Sequence, residues 1–186
     1  MRIRVSELKP KIASLLAREG PLNKYLIAKK LGCEYPTLLE AVKEMEGEGL
    51  IKIVARGRRR AQVYDLTPKG AVRCYRLGWL ELDDLIAYFS SRDAALKLYD
   101  MLGGDGFEGG WEALEGVVGL CFATLSVPEL EGFEGCEDPD RLAEAILRGA
   151  VEGLRKAEVS PSLREALKGK GIDIDPLKGL LPLPKR

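Results

Sequence analysis

Two glycines divide the first third of the chain into a pattern that few folds accept. Ile27, Ala28 and Leu31 recur at helical spacing before Gly32, and Leu38, Ala41, Val42 and Met45 do the same before Gly49. Glycine directly after an apolar helical run readily takes the left-handed conformation that ends a helix. The spacing therefore predicts two short amphipathic helices joined by a tight turn. After Gly49 the helical period gives way to two β-type runs, residues 50–55 and 61–66, either side of Arg56-Gly57-Arg58-Arg59-Arg60. That segment reads as a hairpin with a cationic tip.

The flanks extend the pattern. A helix is expected over residues 6–18, with Leu8, Ile12, Leu15 and Leu16 on one face, and Gly20-Pro21 stops it. Asn23 is placed to cap the next helix, whose core face is expected to hold Tyr25, Ile27, Ala28 and Leu31. Pro36 falls near the start of the third helix. Thr67-Pro68 is a capping residue followed by proline at the first helical position, opening a fourth helix to Leu77. Gly78 marks the expected domain boundary.

Beyond it the reading is helical: about 82–102 with a break at Ser90–Asp93, then 111–125, 138–157 and 162–167. The connections 103–110 and 126–137 are rich in glycine and acid, and from Gly171 the chain reads as an extended tail. Ala145, Gly149 and Gly153 recur every four residues, which marks a close helix-on-helix contact either within this domain or across a dimer.

Overall charge is zero, yet residues 1–80 hold 17 Lys and Arg against 8 Asp and Glu, a net of +9, and the remainder carries −9. Such asymmetry points to a surface for nucleic acid on the basic half. No apolar run approaches the roughly 20 residues of a membrane span. The opening Met1–Glu7 lacks the apolar stretch of a secretory signal, so a cytoplasmic protein with no membrane partner is expected.

The chain has no histidine, and Cys33, Cys74, Cys121 and Cys136 form no CxxC pair, so a mixed Cys/His zinc site is excluded. Buried thiols and a Cys121–Cys136 disulfide both remain open. Asn23 and Gln62 are the only carboxamides beside abundant Glu, Lys and Arg, a thermophile-like composition. Residues 104–109 spell G-x-G-x-x-G, but helix precedes them and Asp105 and Glu108 would repel a pyrophosphate. They read as a loop. No cofactor or metal is expected, and with no nucleophile motif either, the chain does not read as an enzyme.

Gly20 through Leu31 resembles the opening of the PadR and MarR groups of transcriptional regulators, which are winged helix-turn-helix proteins. Thr37-Leu38, Lys43 with Met45-Glu46, Gly49-Leu50-Ile51 and Tyr64 through Gly70 are similar in the same way, and the likeness covers residues 6–78. It implies a homodimeric regulator on a palindromic operator, with a C-terminal helical region for dimerisation.

The expected fold is thus mainly α with a small β-hairpin: a winged helix-turn-helix domain over 1–78, then an acidic helical domain over 79–186. The third helix would enter the major groove of double-stranded DNA with Tyr35, Thr37, Glu40 and Lys43 towards base edges or phosphates. Arg56, Arg58, Arg59 and Arg60 would hold the backbone or minor groove, with Lys24, Lys29 and Lys30 beside them. The exposed face of the third helix departs from that picture, since Glu34, Glu40 and Glu44 outnumber Lys43. The alternative is a protein-interaction module in a transcription or replication assembly. The acidic domain is a second place for a protein partner.

Overall fold

In the computed structural model, residues 3–57, 60–104 and 109–181 are described. Among them are ten α-helices and a three-stranded antiparallel sheet, and the chain divides into two units, residues 1–88 and 89–186.

The first unit runs α1 (Val5–Glu19), β1 (Leu22–Asn23), α2 (Lys24–Leu31), α3 (Tyr35–Gly47), β2 (Ile51–Arg56), β3 (Gln62–Leu66), α4 (Pro68–Arg76) and, as far as Tyr88, α5 (Leu82–Ser90). Its helices begin and end where their caps dictate. The Asn23 side chain accepts the Leu26 N–H at 2.9 Å, and the Thr67 hydroxyl accepts the Gly70 N–H at 2.8 Å. Gly32 (φ +61°) and Gly49 (φ +70°) take the left-handed turns that end α2 and lead out of α3. Leu8, Ile12, Leu16, Ile27, Leu38, Met45, Leu50 and Leu66 are fully buried, each stabilising the unit by about 1.5–3 kcal/mol.

The sheet order is β1-β3-β2, with Ile51 opposite Leu66 and Arg56 opposite Gln62. β1 has only two residues, Leu22 opposite Tyr64 and Asn23 opposite Val63, too short for a periodic signal. Tyr25, expected in the core, is exposed instead. It lies two residues before Ile27, about 200° round the helix from the side that α2 buries.

The unit boundary falls ten residues later than Gly78. Asp84 is buried and accepts the Arg18 guanidinium, the Ser14 hydroxyl at 3.3 Å and the Glu81 N–H at 3.1 Å. Tyr88 donates its hydroxyl to the Leu66 carbonyl at 2.9 Å. A buried carboxylate needs such partners, so most of α5 belongs with α1 and β3.

The second unit holds α6 (Asp93–Met101), α7 (Gly110–Thr124), α8 (Val127–Glu134), α9 (Pro139–Val159), α10 (Pro161–Gly169) and a 3-10 turn at Pro176–Gly179. Phe122 is its aromatic centre, stacked on Phe89 at 4.8 Å and tilted against Phe133 at 5.1 Å. The stripe on α9 faces α7 of the same chain. A Cβ at Gly149 would stand 2.5 Å from the Cys121 sulfur, and one at Gly153 would stand 3.1 Å from the Leu120 carbonyl.

Two expectations for this unit give way. The stretch 126–137 is not all loop: Ser126 donates its N–H and hydroxyl to Glu129 (2.6 and 2.7 Å), a capping box that starts α8, and Leu130 and Phe133 are buried. The residues from Gly171 to Leu181 are not an extended tail either. Ile172, Ile174, Leu177 and Leu181 are all buried, and Leu177 closes on Gly116 of α7. Four large apolar side chains within ten residues outweigh the helix-breaking prolines. Pro182 and Pro184 lie outside the described residues, as do Asp105 to Glu108 of the glycine-rich motif.

All four cysteines are free thiols, with Cys74 and Cys121 buried. Burial pushes the Cys74 thiol up to about 12 and that of Cys121 higher still. Only the thiolate is nucleophilic. Titration of the folded protein with a thiol reagent at pH 8 is expected to modify Cys33 and Cys136, and denaturant to release the other two. Four reactive thiols in the native protein would contradict the packing. No helix among the described residues is long and apolar enough to cross a membrane.

Candidate nucleic-acid interface

α3 buries Leu38, Ala41, Val42 and Met45, and that inward stripe fixes what it can offer to a partner. Pro36, Leu39, Glu40 and Lys43 share its exposed side, while Thr37 is half-buried. The acidity of this helix is partly taken up inside the unit. Lys9 of α1 binds Glu44 at 2.5 Å and Glu48 at 2.9 Å. Burial opposes the charge on Lys9, but the hydrogen bonds to Glu44 and Glu48 outweigh it and raise its pKa. Glu44 therefore turns its charge towards α1, and Glu40 with Lys43 forms the charged part of the outer stripe.

The hairpin supplies the cations. Its strands close through the Gly57 N–H, which donates to the Ala61 carbonyl at 2.7 Å. Arg56 and Arg60 are exposed, and Arg60 holds φ +60°, a left-handed backbone rare outside glycine. Arg58 and Arg59, expected at the tip, lie outside the described residues. Among the described residues Lys29, Lys43, Arg56 and Arg60 form no ion pair, so folding leaves these four charges uncompensated.

Other expected contacts are partly committed elsewhere. Lys30 pairs with Glu19 at 2.7 Å, and the Lys24 ammonium sits 5.1 Å from the centre of the Tyr64 ring.

The start of α3 and the hairpin meet at a cleft of about 480 Å³. Tyr35 lines it with Lys24, Arg56 and Arg60. Thr37, Glu40, Lys43, Lys29 and Lys30 do not. Asn23, Tyr25 and Gln62 also line the cleft, and sequence reasoning gave none of them a role there. A signal existed: the only two carboxamides of the chain, Asn23 and Gln62, flank elements that the hairpin brings together.

α1, α2 and α3 pack on one another beside a short third strand and a hairpin, the arrangement of a winged helix-turn-helix fold. Comparison with known proteins adds no relative: no family model, curated protein or solved structure matches the chain significantly.

Proposed function

We propose that the chain is a cytoplasmic transcriptional regulator of the PadR/MarR kind that binds double-stranded DNA through its first unit. α3 lies in the major groove and the wing arginines hold the adjacent backbone or minor groove. The observation that carries this reading is the set of uncompensated cations, Arg56 and Arg60 on the wing with Lys43 on the outer side of α3. Folding does not require them, whereas phosphates do. The pairing of Lys9 with Glu44 and Glu48 supports it further, because it draws acid away from the DNA-facing side. As a regulator on a palindromic operator, the protein acts as a homodimer.

A second reading draws on the apolar side chains exposed in the same unit, Leu26 and Leu39 on the helices and Ile53 and Val54 on β2. They suit a protein partner in a transcription or replication assembly.

Titration of labelled genomic duplexes across a salt series separates the two. DNA binding is expected to weaken with salt, log affinity falling by about 0.9 per neutralised phosphate per decade. Absence of binding at low salt would favour the protein-interaction module. Sedimentation at micromolar concentration checks the dimer, and a monomer there would remove the palindrome.

A further inference from the structure

We infer that the cleft between α3 and the wing receives an unpaired DNA base, so that the protein engages single-stranded or locally opened DNA at this point. The inference rests on the nucleic-acid reading above and specifies what the site contacts.

The side chains that line the cleft are mostly hydrogen-bond donors and aromatic rings. Asn23 uses its side-chain carbonyl to cap α2, accepting from Leu26 at 2.9 Å, and Gln62 uses its own to accept the Tyr64 hydroxyl at 2.7 Å. Each is left with its NH₂ group as a donor. Lys24, Arg56 and Arg60 are donors by nature. No carboxylate is among the described residues that line the cleft, in a chain that contains 29 Asp and Glu. A ligand fitting this wall is rich in acceptors and negatively charged.

Tyr25 is 68% exposed and Tyr35 48%, and both belong to the cleft. A phosphate grip requires charge and hydroxyl groups, not rings. In a paired duplex each base face is covered by its neighbours, so an aromatic side chain meets only edges. An unpaired base presents its face for stacking together with acceptor atoms on its rim, and its phosphate lies within reach of cations. A cleft of about 480 Å³ falls within the usual range for one small ligand group. Charge, donors and rings therefore agree on one class of ligand, a nucleotide that has left the stack.

The test uses the full chain and three labelled probes of one sequence, followed by fluorescence anisotropy: a single strand, the duplex, and the duplex with a central unpaired bubble. The wild-type protein is expected to bind the bubble several-fold more tightly than the duplex. Tyr25→Ala should weaken single-strand and bubble binding by about 5- to 100-fold while changing duplex binding less than twofold, and Tyr35→Ala should weaken single-strand and bubble binding to a similar extent. Tyr25→Phe should restore most of the loss, since it keeps the ring. Equal affinity for bubble and duplex would overturn the inference and leave the duplex reading standing. So would a Tyr25→Ala loss that is the same on all three probes. Single-strand binding without duplex binding would do the reverse, and failure to bind any probe would sink both.

Discussion

Replacing Arg56, Arg58, Arg59 and Arg60 with alanine is expected to lower duplex affinity by about two to three orders of magnitude at roughly 0.1 M salt. Each phosphate contact adds about 0.9 to the slope of log affinity against log salt, which near 0.1 M is a factor of about eight. Two or three contacts among the four arginines give the stated range, and the slope flattens by about 1.8 to 2.7. The loss should be similar on unrelated sequences, because phosphate contacts carry no sequence information. Thermal unfolding should barely move, since Arg56 and Arg60 are exposed and form no ion pair with a described residue. An unchanged salt slope would take the wing out of the interface.

Gly70→Ala is expected to destabilise the first unit by about 3 kcal/mol or more, the upper range for overpacking. Gly70 lies in the first turn of α4, and a Cβ there would overlap the Leu50 carbonyl. That carbonyl cannot retreat. It accepts the Thr67 N–H at 3.0 Å, the Thr67 hydroxyl donates to the neighbouring Gly49 carbonyl at 2.7 Å, and the Leu50 side chain is fully buried. For a unit of this size the cost corresponds to a fall in Tm of about 12–24 °C. Calorimetry on the full chain should show a transition lowered by that amount. A shift under about 4 °C would mean that the contact relaxes far more easily than its bonding suggests.

The first unit was legible because its punctuation is chemical. Asn23, Gly32, Gly49 and Thr67-Pro68 fix helix ends by hydrogen bonds or by backbone conformation, and such signals depend on neighbours alone. The second unit was read less completely for the opposite reason. α8 begins at a capping box, Ser126 with Glu129, but only eight residues follow, so glycine and acid in the same window outweigh the period. Ile172, Ile174, Leu177 and Leu181 are all buried, and Leu177 packs at Gly116 of α7, more than fifty residues away, which no local pattern reports.

The candidate site divides in the same way. Arg56 and Arg60 were visible as charge, and neither pairs with an acid among the described residues. The exposure of Tyr25 in the cleft was not visible, because alternation between core and surface in an eight-residue helix is fixed by one anchor, Ile27. The pairing of Lys9 with Glu44 and Glu48 was also hidden, since it joins residues 35 and 39 positions apart.

Asn23 belongs to the sheet and to α2 at once: it pairs with Val63 of β3 and caps the helix that carries Lys24 and Tyr25. The strands of the wing are thereby fastened to the helix-turn-helix at its base instead of hanging from one edge. Strands fastened in this way would meet a partner already shaped, with their own disorder given up during folding. Association should therefore show a small heat-capacity change, close to that of rigid surfaces meeting, and an on-rate governed by charge and not by rearrangement.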